Sequence, residues 1–411
     1  MKKFLLLILP IFIYSDSLIL LIDSAKSSNY LLKASALNVA AKKKELDSQQ
    51  SSYYPTIDVG TAYMSFDEVS PFQAGNTLNV YAKAGVDLFD GYRKESLIKQ
   101  KKDLFEASQY DLIYAQKALT LEIIQDFFNI KSLQETQKAL KEKSNQLKAD
   151  IKKIKKFRSA GLASQDYVDK LQSSYDANSY DLESLKLNIK TIKNYLTLKT
   201  GREIKTLENA SLVNPKNLKF IPSELIKSLE KQADALEAVA KATNALYYPN
   251  VRLEDTYSYY DYSRDDGLKD MGIEQVKNQN KIALVAQMRL YDNGVNKRQK
   301  EAIYLKKQAL QEQINHQLLE EKIRYKLAID RLKTASINIQ SAKSAFNSAK
   351  SAYKTIKAKF DAGIVDQVTY LDSLSQKTAS IARYKKSLND YEIAKANYYF
   401  RSNKNIKGFI K

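Results

Sequence analysis

Apolar and polar side chains alternate along residues 78–88, with Leu78, Val80, Ala82, Ala84, Val86 and Leu88 in one set. Asn79, Tyr81, Lys83, Gly85 and Asp87 form the other. A period of two puts the sets on opposite faces of a strand. Ile282, Leu284, Ala286, Met288 and Leu290 repeat the pattern in the second half of the chain. Segments rich in Tyr, Thr and Val near 56–66 and 250–262 predict a preceding strand in each half. Polar turns join each pair, with Pro71 and Gly75 in one and Gly267 and Gly272 in the other. Helix-compatible stretches near 24–52 and 223–246 lead into the strands and end at proline, which has no amide proton to donate.

The rest of the pattern is helical. Residues 92–157 and 295–360 contain neither Pro nor Gly, and at 1.5 Å per residue each would reach roughly 100 Å. Near Gly161 and Gly363 the apolar spacing becomes a heptad. Ile339, Ala342, Phe346, Ala349, Tyr353, Ile356 and Phe360 step alternately by 3 and 4. Leu140, Ser144, Leu147, Ile151 and Ile154 do the same. Beyond Gly161, Leu171, Tyr175, Asn178, Leu182, Leu185, Ile189, Ile192 and Leu196 offer the returning seam. A sustained period of 3.5 predicts left-handed coiled-coil packing, so each glycine turns an antiparallel helical hairpin. Thr200-Gly201 is a natural stop for the first returning helix.

These signals come twice, in the same order. Tyr53-Tyr54-Pro55 returns as Tyr247-Tyr248-Pro249, and Leu88-Phe89-Asp90-Gly91 as Leu290-Tyr291-Asp292-Asn293-Gly294. Phe157-Arg158-Ser159-Ala160-Gly161 returns as Phe360-Asp361-Ala362-Gly363. Gly91 and Gly161 lie 70 positions apart, Gly294 and Gly363 lie 69 apart. The expected organisation is a tandem duplication: a first repeat over 16–201, a linker over 202–222, a second repeat over 223–402 and a short tail over 403–411. The hairpin tips fall at 157–166 and 360–370. One strand pair per repeat gives four strands, too few to close a barrel, since the smallest usual one has about eight. If the strands face lipid, several chains must pool them to remove the edges.

Composition narrows the setting. Mean hydropathy is −0.46, and after residue 22 no apolar run approaches the roughly 20 residues of a spanning helix. A bilayer crossing must therefore use strands. Lys2 and Lys3 followed by the apolar run Phe4 to Tyr14, with Ser15 as a small residue before Asp16, predict a secretory signal over 1–15. A signal anchor is the other reading, because Leu18 to Ile22 is apolar again. Cysteine is absent, which removes disulfides, thiolate chemistry and a lipid anchor on Cys. The net charge of +19 comes mainly from Lys spread beside Glu, Asp and Gln on helical patterns. Solvated helix faces account for it, and no nucleic-acid partner is implied.

Taken together, Tyr54-Pro55 and Tyr248-Pro249, the Leu88-Phe89-Asp90-Gly91 mark and the Phe-x-x-x-Gly-Leu and Phe-x-x-Gly-Ile tips resemble the TolC family of outer-membrane efflux and secretion ducts. The resemblance covers nearly all of the chain after the signal. It implies a homotrimer in the outer membrane whose pooled strands form a twelve-stranded β-barrel. Helical hairpins would continue that barrel across the periplasm as a hollow α-barrel. It implies a passive duct for a tripartite efflux pump or a type I secretion system, with a periplasmic adaptor (membrane fusion protein) and an inner-membrane pump as partners and outer-membrane lipid around the barrel. The shorter helices and the linker would form an equatorial belt.

The resemblance also assigns sites. The family places two Asp residues six and nine positions after the second tip glycine, as rings that narrow the periplasmic entrance. Those positions are Thr369 and Asp372 here, so the first acidic ring is lost and only Asp372 remains. Three converging Asp372 carboxylates would repel one another and attract cations; an ordinary solvated helix carboxylate explains the residue equally well. Gly161-Leu162-Ala163 and Gly363-Ile364-Val365 match the family's adaptor-docking turns, against the alternative of plain interhelical turns.

No catalytic pattern stands out, and neither a cofactor nor a metal site is expected. The one histidine, His316, sits mid-helix between Asn315 and Gln317, and with no Cys a zinc site would be mostly carboxylate, against zinc's habit. Several Tyr at 257–262 suit an interfacial aromatic girdle or ordinary sheet packing. The rival reading is a periplasmic coiled-coil adaptor or scaffold of an envelope complex, and an enzyme is the third.

Overall fold

The computed structural model describes residues 16–70, 73–264, 272 and 274–411. The expected signal over 1–15, Pro71 and Gly267 lie outside the described residues. Helices α1 (Leu18–Ser28) and α2 (Tyr30–Ser51) precede strands β1 (Thr56–Ser65) and β2 (Asn76–Phe89). Next come α3 (Arg93–Ser159) and α4 (Gln165–Thr200). The order then continues as α5 (Glu224–Asn244), β3 (Asn250–Ser263), β4 (Asn278–Gln287), α6 (Val295–Asp361) and α7 (Gln367–Arg401). Helices α3 and α6 run 67 residues each, as two stretches free of Pro and Gly allow.

The predicted helix near 24–52 is two helices, and helical structure starts earlier, at Leu18. Asn29 takes an extended backbone (ψ 123°) between them. Its carbonyl oxygen Oδ1 accepts the Leu32 amide at 3.0 Å, so it closes α1 and caps α2. Leu18, Leu21 and Ile22 form the buried face of α1, each at most 1% exposed, while Ile19 between them is 40% exposed. The last predicted strand also shifts: β4 spans Asn278–Gln287, so Met288 and Leu290 fall past its end.

Two compact units divide the chain. The first comprises the described part of Met1–Ala36 with Leu112–Leu225 and Gln317–Lys411, the second Leu37–Asp111 and Ile226–His316. In the first unit, α1 packs with Ile123, Ile124, Phe127 and Phe128 of α3, Ile189 and Leu196 of α4, and Tyr399 of α7. The segment after Gly201 forms no helix, but isolated bridges pair Asp16 with Leu207 and Leu212 with Ile410. The heptad seams are inside, as their spacing requires. Leu147, Ile151, Ile154, Leu171, Tyr353, Tyr370 and Leu374 form a second core cluster.

The second unit holds one antiparallel sheet in the order β1-β2-β3-β4. Its register sets Val59 opposite Ala82 and Val80 opposite Tyr259, and Leu253 opposite Leu284. The aspartates of the repeated Asp-Gly marks end each strand pair by capping the next helix. Asp90 accepts the amides of Arg93 and Lys94 at 3.0 and 2.8 Å. Asp292 accepts those of Gly294 and Asn296, both at 2.9 Å. These amides hold the Asp292 carboxyl below its ordinary range. Each cap is followed by two left-handed residues, Gly91 and Tyr92 in one case and Asn293 and Gly294 in the other. Glycine also leaves room there, since a Cβ at Gly91 would sit 2.6 Å from the Ala245 carbonyl oxygen.

Candidate functional site

The sheet has an inverted polarity. Ile57, Val59 and Tyr63 of β1, Leu78 and Val80 of β2, Tyr257 and Tyr259 of β3, and Ile282 and Leu284 of β4 share one face through the register. All nine are exposed, Val59 to 77%. Polar residues interrupt this face at Asp255, between Ala84 and Ile282, at Asp261, opposite Leu78, and at Asn278 and Asn280, opposite Tyr259 and Tyr257. The opposite face carries the charges. Lys83 pairs with Glu254 at 2.9 Å, Arg252 with Glu254 at 2.8 Å and with Asp87 at 3.3 Å, and Lys94 with Asp87 at 3.1 Å. A water-soluble sheet hides its apolar face; this one presents it outward, as a surface for lipid does. Among the described residues both outer strands keep one unpaired edge, since β1 bonds only to β2 and β4 only to β3.

The hairpin turns belong to the first unit and repeat one geometry. At the end of α3, the Leu162 amide donates to the Phe157 carbonyl at 2.8 Å and the Gly161 amide to that of Arg158 at 2.9 Å. At the end of α6, Ile364 donates to Lys359 at 2.8 Å and Gly363 to Phe360 at 3.0 Å. Gly161 and Gly363 sit at φ +72° and +76°. This is the Schellman arrangement, in which glycine takes the left-handed position and the next residue normally packs its apolar side chain back on the helix. Here that residue faces solvent instead: Leu162 is 75% exposed and Ile364 70%. Ala163 and Val365 are half-buried.

Behind the turns, polar contacts tie the two hairpins together. The Tyr370 hydroxyl donates to Asp150 at 2.5 Å. Tyr370 is fully buried and Asp150 nearly so. Gln146 donates to the other Asp150 oxygen at 2.8 Å, and the Lys357 ammonium stands 4.0 Å away. The Tyr370 ring stacks on Phe360 at 4.5 Å. Burial, then the bond to Asp150, pushes the Tyr370 phenol far up, so it stays a neutral donor. Lys153 pairs with Asp361 at 2.9 Å and holds that carboxyl low, helped by Lys357. The Gln367 side chain donates to the Tyr167 carbonyl at 2.6 Å.

Thr369 and Asp372 lie one turn apart on α7, both exposed. The Thr369 amide donates to Asp366, the N-cap of α7, and Asp372 makes no ion pair among the described residues. The Asp150–Tyr370 pair escaped the sequence reading, although Asp150 adjoins the heptad position Ile151. Nothing in spacing alone distinguishes a buried carboxylate from a solvated one. No metal-binding cluster occurs among the described residues, and no described helix is long and apolar enough to cross a membrane.

A mainly helical chain with a four-stranded antiparallel sheet, apolar on one face and charged on the other, has the fold of outer-membrane channels. Residues 21–202 match the family described as outer membrane efflux protein. The whole fold is similar to the Campylobacter jejuni CmeC outer membrane channel, with TM-score 0.82, 16% identity, and 95% of this chain and 86% of that one covered. It is similar to the outer membrane protein VceC of Vibrio cholerae, with TM-score 0.80, 13% identity and 95% and 96% covered. The open-state MtrE outer membrane channel of Neisseria gonorrhoeae gives TM-score 0.75, 15% identity, and 95% and 89%. No curated protein matches the chain in sequence. The expected resemblance to TolC-like channels is borne out in the family match over residues 21–202 and in a fold shared with these outer-membrane channels.

Proposed function

We propose that the chain is one third of a trimeric outer-membrane exit duct, giving passive passage to substrates of a tripartite efflux pump or a type I secretion system. The observation that carries the reading is the sheet, with its apolar face outward and both outer edges unpaired. An unpaired edge inside lipid leaves amide and carbonyl groups without partners, which costs several kcal/mol per group. Pairing β4 of one copy with β1 of the next, three times over, closes a twelve-stranded barrel and removes every edge. Unpartnered apolar side chains on the first unit support the same assembly: Tyr180, Leu187 and Leu198 on α4 and Leu319, Ile323 and Ile337 on α6 are all at least half exposed.

In this reading the chain is a tandem duplication with repeats at 16–201 and 223–402, and 202–222 contributes to an equatorial belt. The turns at Gly161-Leu162-Ala163 and Gly363-Ile364-Val365 face the periplasmic entrance and receive the adaptor, which an inner-membrane pump accompanies. Asp372 rings that entrance, with Thr369 in the place of a second acidic ring. The deciding experiment is the mass of the native complex extracted in mild detergent from purified outer membranes. A particle near three times the 46.8 kDa chain, less its signal, is expected. A monomer, or absence from that membrane, refutes the barrel.

A further inference from the structure

The ends of α3 and α6 are unusually basic. Residues 148–158 hold six cations in eleven positions, against 66 in 411 for the chain. Two of the neighbouring lysines are committed, Lys153 to Asp361 and Lys357 to Asp361 and Asp150. Lys152, Lys155, Lys156 and Arg158 on α3, with Lys354 and Lys359 on α6, are exposed. None of these six has a carboxylate within ion-pair distance among the described residues. The helix dipole favours cations at a C-terminus, but only within the last turn; Lys152, Lys155 and Lys354 lie farther back. The carboxylates nearby are mostly occupied. Asp166 bonds Ser164 and Lys170, Asp169 accepts from Gln165, and Asp366 caps α7. Unpaired positive charge thus accumulates around two exposed apolar residues, Leu162 and Ile364.

We propose that the partner docking on these turns is a protein with an acidic surface, its carboxylates surrounding a small apolar contact that receives Leu162 and Ile364. The inference rests on the reading of the turns as a docking site and adds the chemistry of what docks. An apolar centre with a charged rim is the common anatomy of a specific interface. Rim charges of one sign steer a partner of the other and repel a partner of the same sign.

The test places a photoreactive amino acid at Leu162 of the full-length chain in native cell envelopes. It compares that chain with the same chain carrying Lys152→Glu, Lys155→Glu and Lys156→Glu. A third chain carries Lys322→Glu, Lys326→Glu and Lys333→Glu, equal in net charge but distant from the turns in sequence; trimer yield checks folding in all three. The expected result is an adduct to a second protein whose cross-linked peptide lies in an acidic surface. Its yield falls about tenfold or more with the first triple change and stays unchanged with the second. An adduct whose yield ignores the first change leaves docking standing and overturns the acidic partner. No adduct from Leu162, nor from the same probe at Ile364, overturns the docking reading and this inference with it. An adduct only to a second copy of the chain overturns both as well.

Discussion

Tyr370→Phe isolates one hydroxyl at the point where the two hairpins are tied. The ring and its stack on Phe360 remain, so the change removes no packing volume. What is lost is the donor to Asp150, in a site where the tyrosine is 0% exposed and the aspartate 6%. A hydrogen bond to a charged group contributes about 1.5–3 kcal/mol, and an orphaned buried acceptor keeps its full desolvation cost. Lys357, 4.0 Å away, can move closer and recover part of that. The net effect is therefore about 1–3 kcal/mol against the closed packing, or roughly a 5- to 150-fold rise in the locally open population. Hydrogen exchange of the native protein reads this population directly. Amides of residues 144–156 and 367–375 should exchange faster by that factor, while those of α1 do not change. Adding Asp150→Asn should restore part of the protection, because a neutral amide is cheaper to leave without a donor than a carboxylate. Less than about a twofold change at the hairpin ends, or equal acceleration in α1, refutes the reasoning.

Four further outcomes are expected. Ile57→Lys on the outward face should cost about 2–4 kcal/mol near the bilayer midplane and sharply lower the yield of folded protein in outer membranes; Asp58→Lys, one residue on and on the charged face, should not. Gly161→Ala should cost about 1–2 kcal/mol through its left-handed backbone alone, since a Cβ there meets nothing within 4 Å; local protease sensitivity at the first turn measures it. Glu237 is held down to about 2 by Lys307 and Lys241, so its contribution is complete above the unfolded carboxylate value near 4.5 and is lost as pH falls towards 2. The difference in melting temperature between wild type and Glu237→Gln, small because the pair is partly exposed, should vanish across that window. Asp372→Asn should weaken block of the channel by multivalent cations in planar-bilayer recordings, and unchanged block returns Asp372 to a solvated carboxylate.

Much of the fold was legible because its signals are periodic. The alternation over 78–88 marks β2 and the steps of 3 and 4 near Tyr353 mark the buried seam, since spacing decides which side chains share a face. Position along the chain was less legible. Leu18 to Ile22 looks like an extension of the apolar leader, and only the core of Phe127, Phe128 and Leu196 reveals that Leu18, Leu21 and Ile22 are the inner face of a helix. The β4 alternation ran past Gln287 because Met288 and Leu290 keep the period after the pairing with β3 stops. The tip glycines were readable, because the left-handed turn demands them. The Asp150–Tyr370 bond was not, because its partners stand 220 positions apart and no local rule links them.

The two open edges of the sheet have a consequence for the life of a newly made chain. Alone, it carries two rows of unmet amides and carbonyls and an apolar face with no lipid yet around it. Such a species is a template for aggregation and a natural client of holdase chaperones and proteases. In the proposed trimer, completion of the native state depends on encounters between copies, so apparent stability would follow protomer concentration. A substitution that weakens β1 or β4 should therefore show itself first as missing protein, before any defect in conduction can be measured.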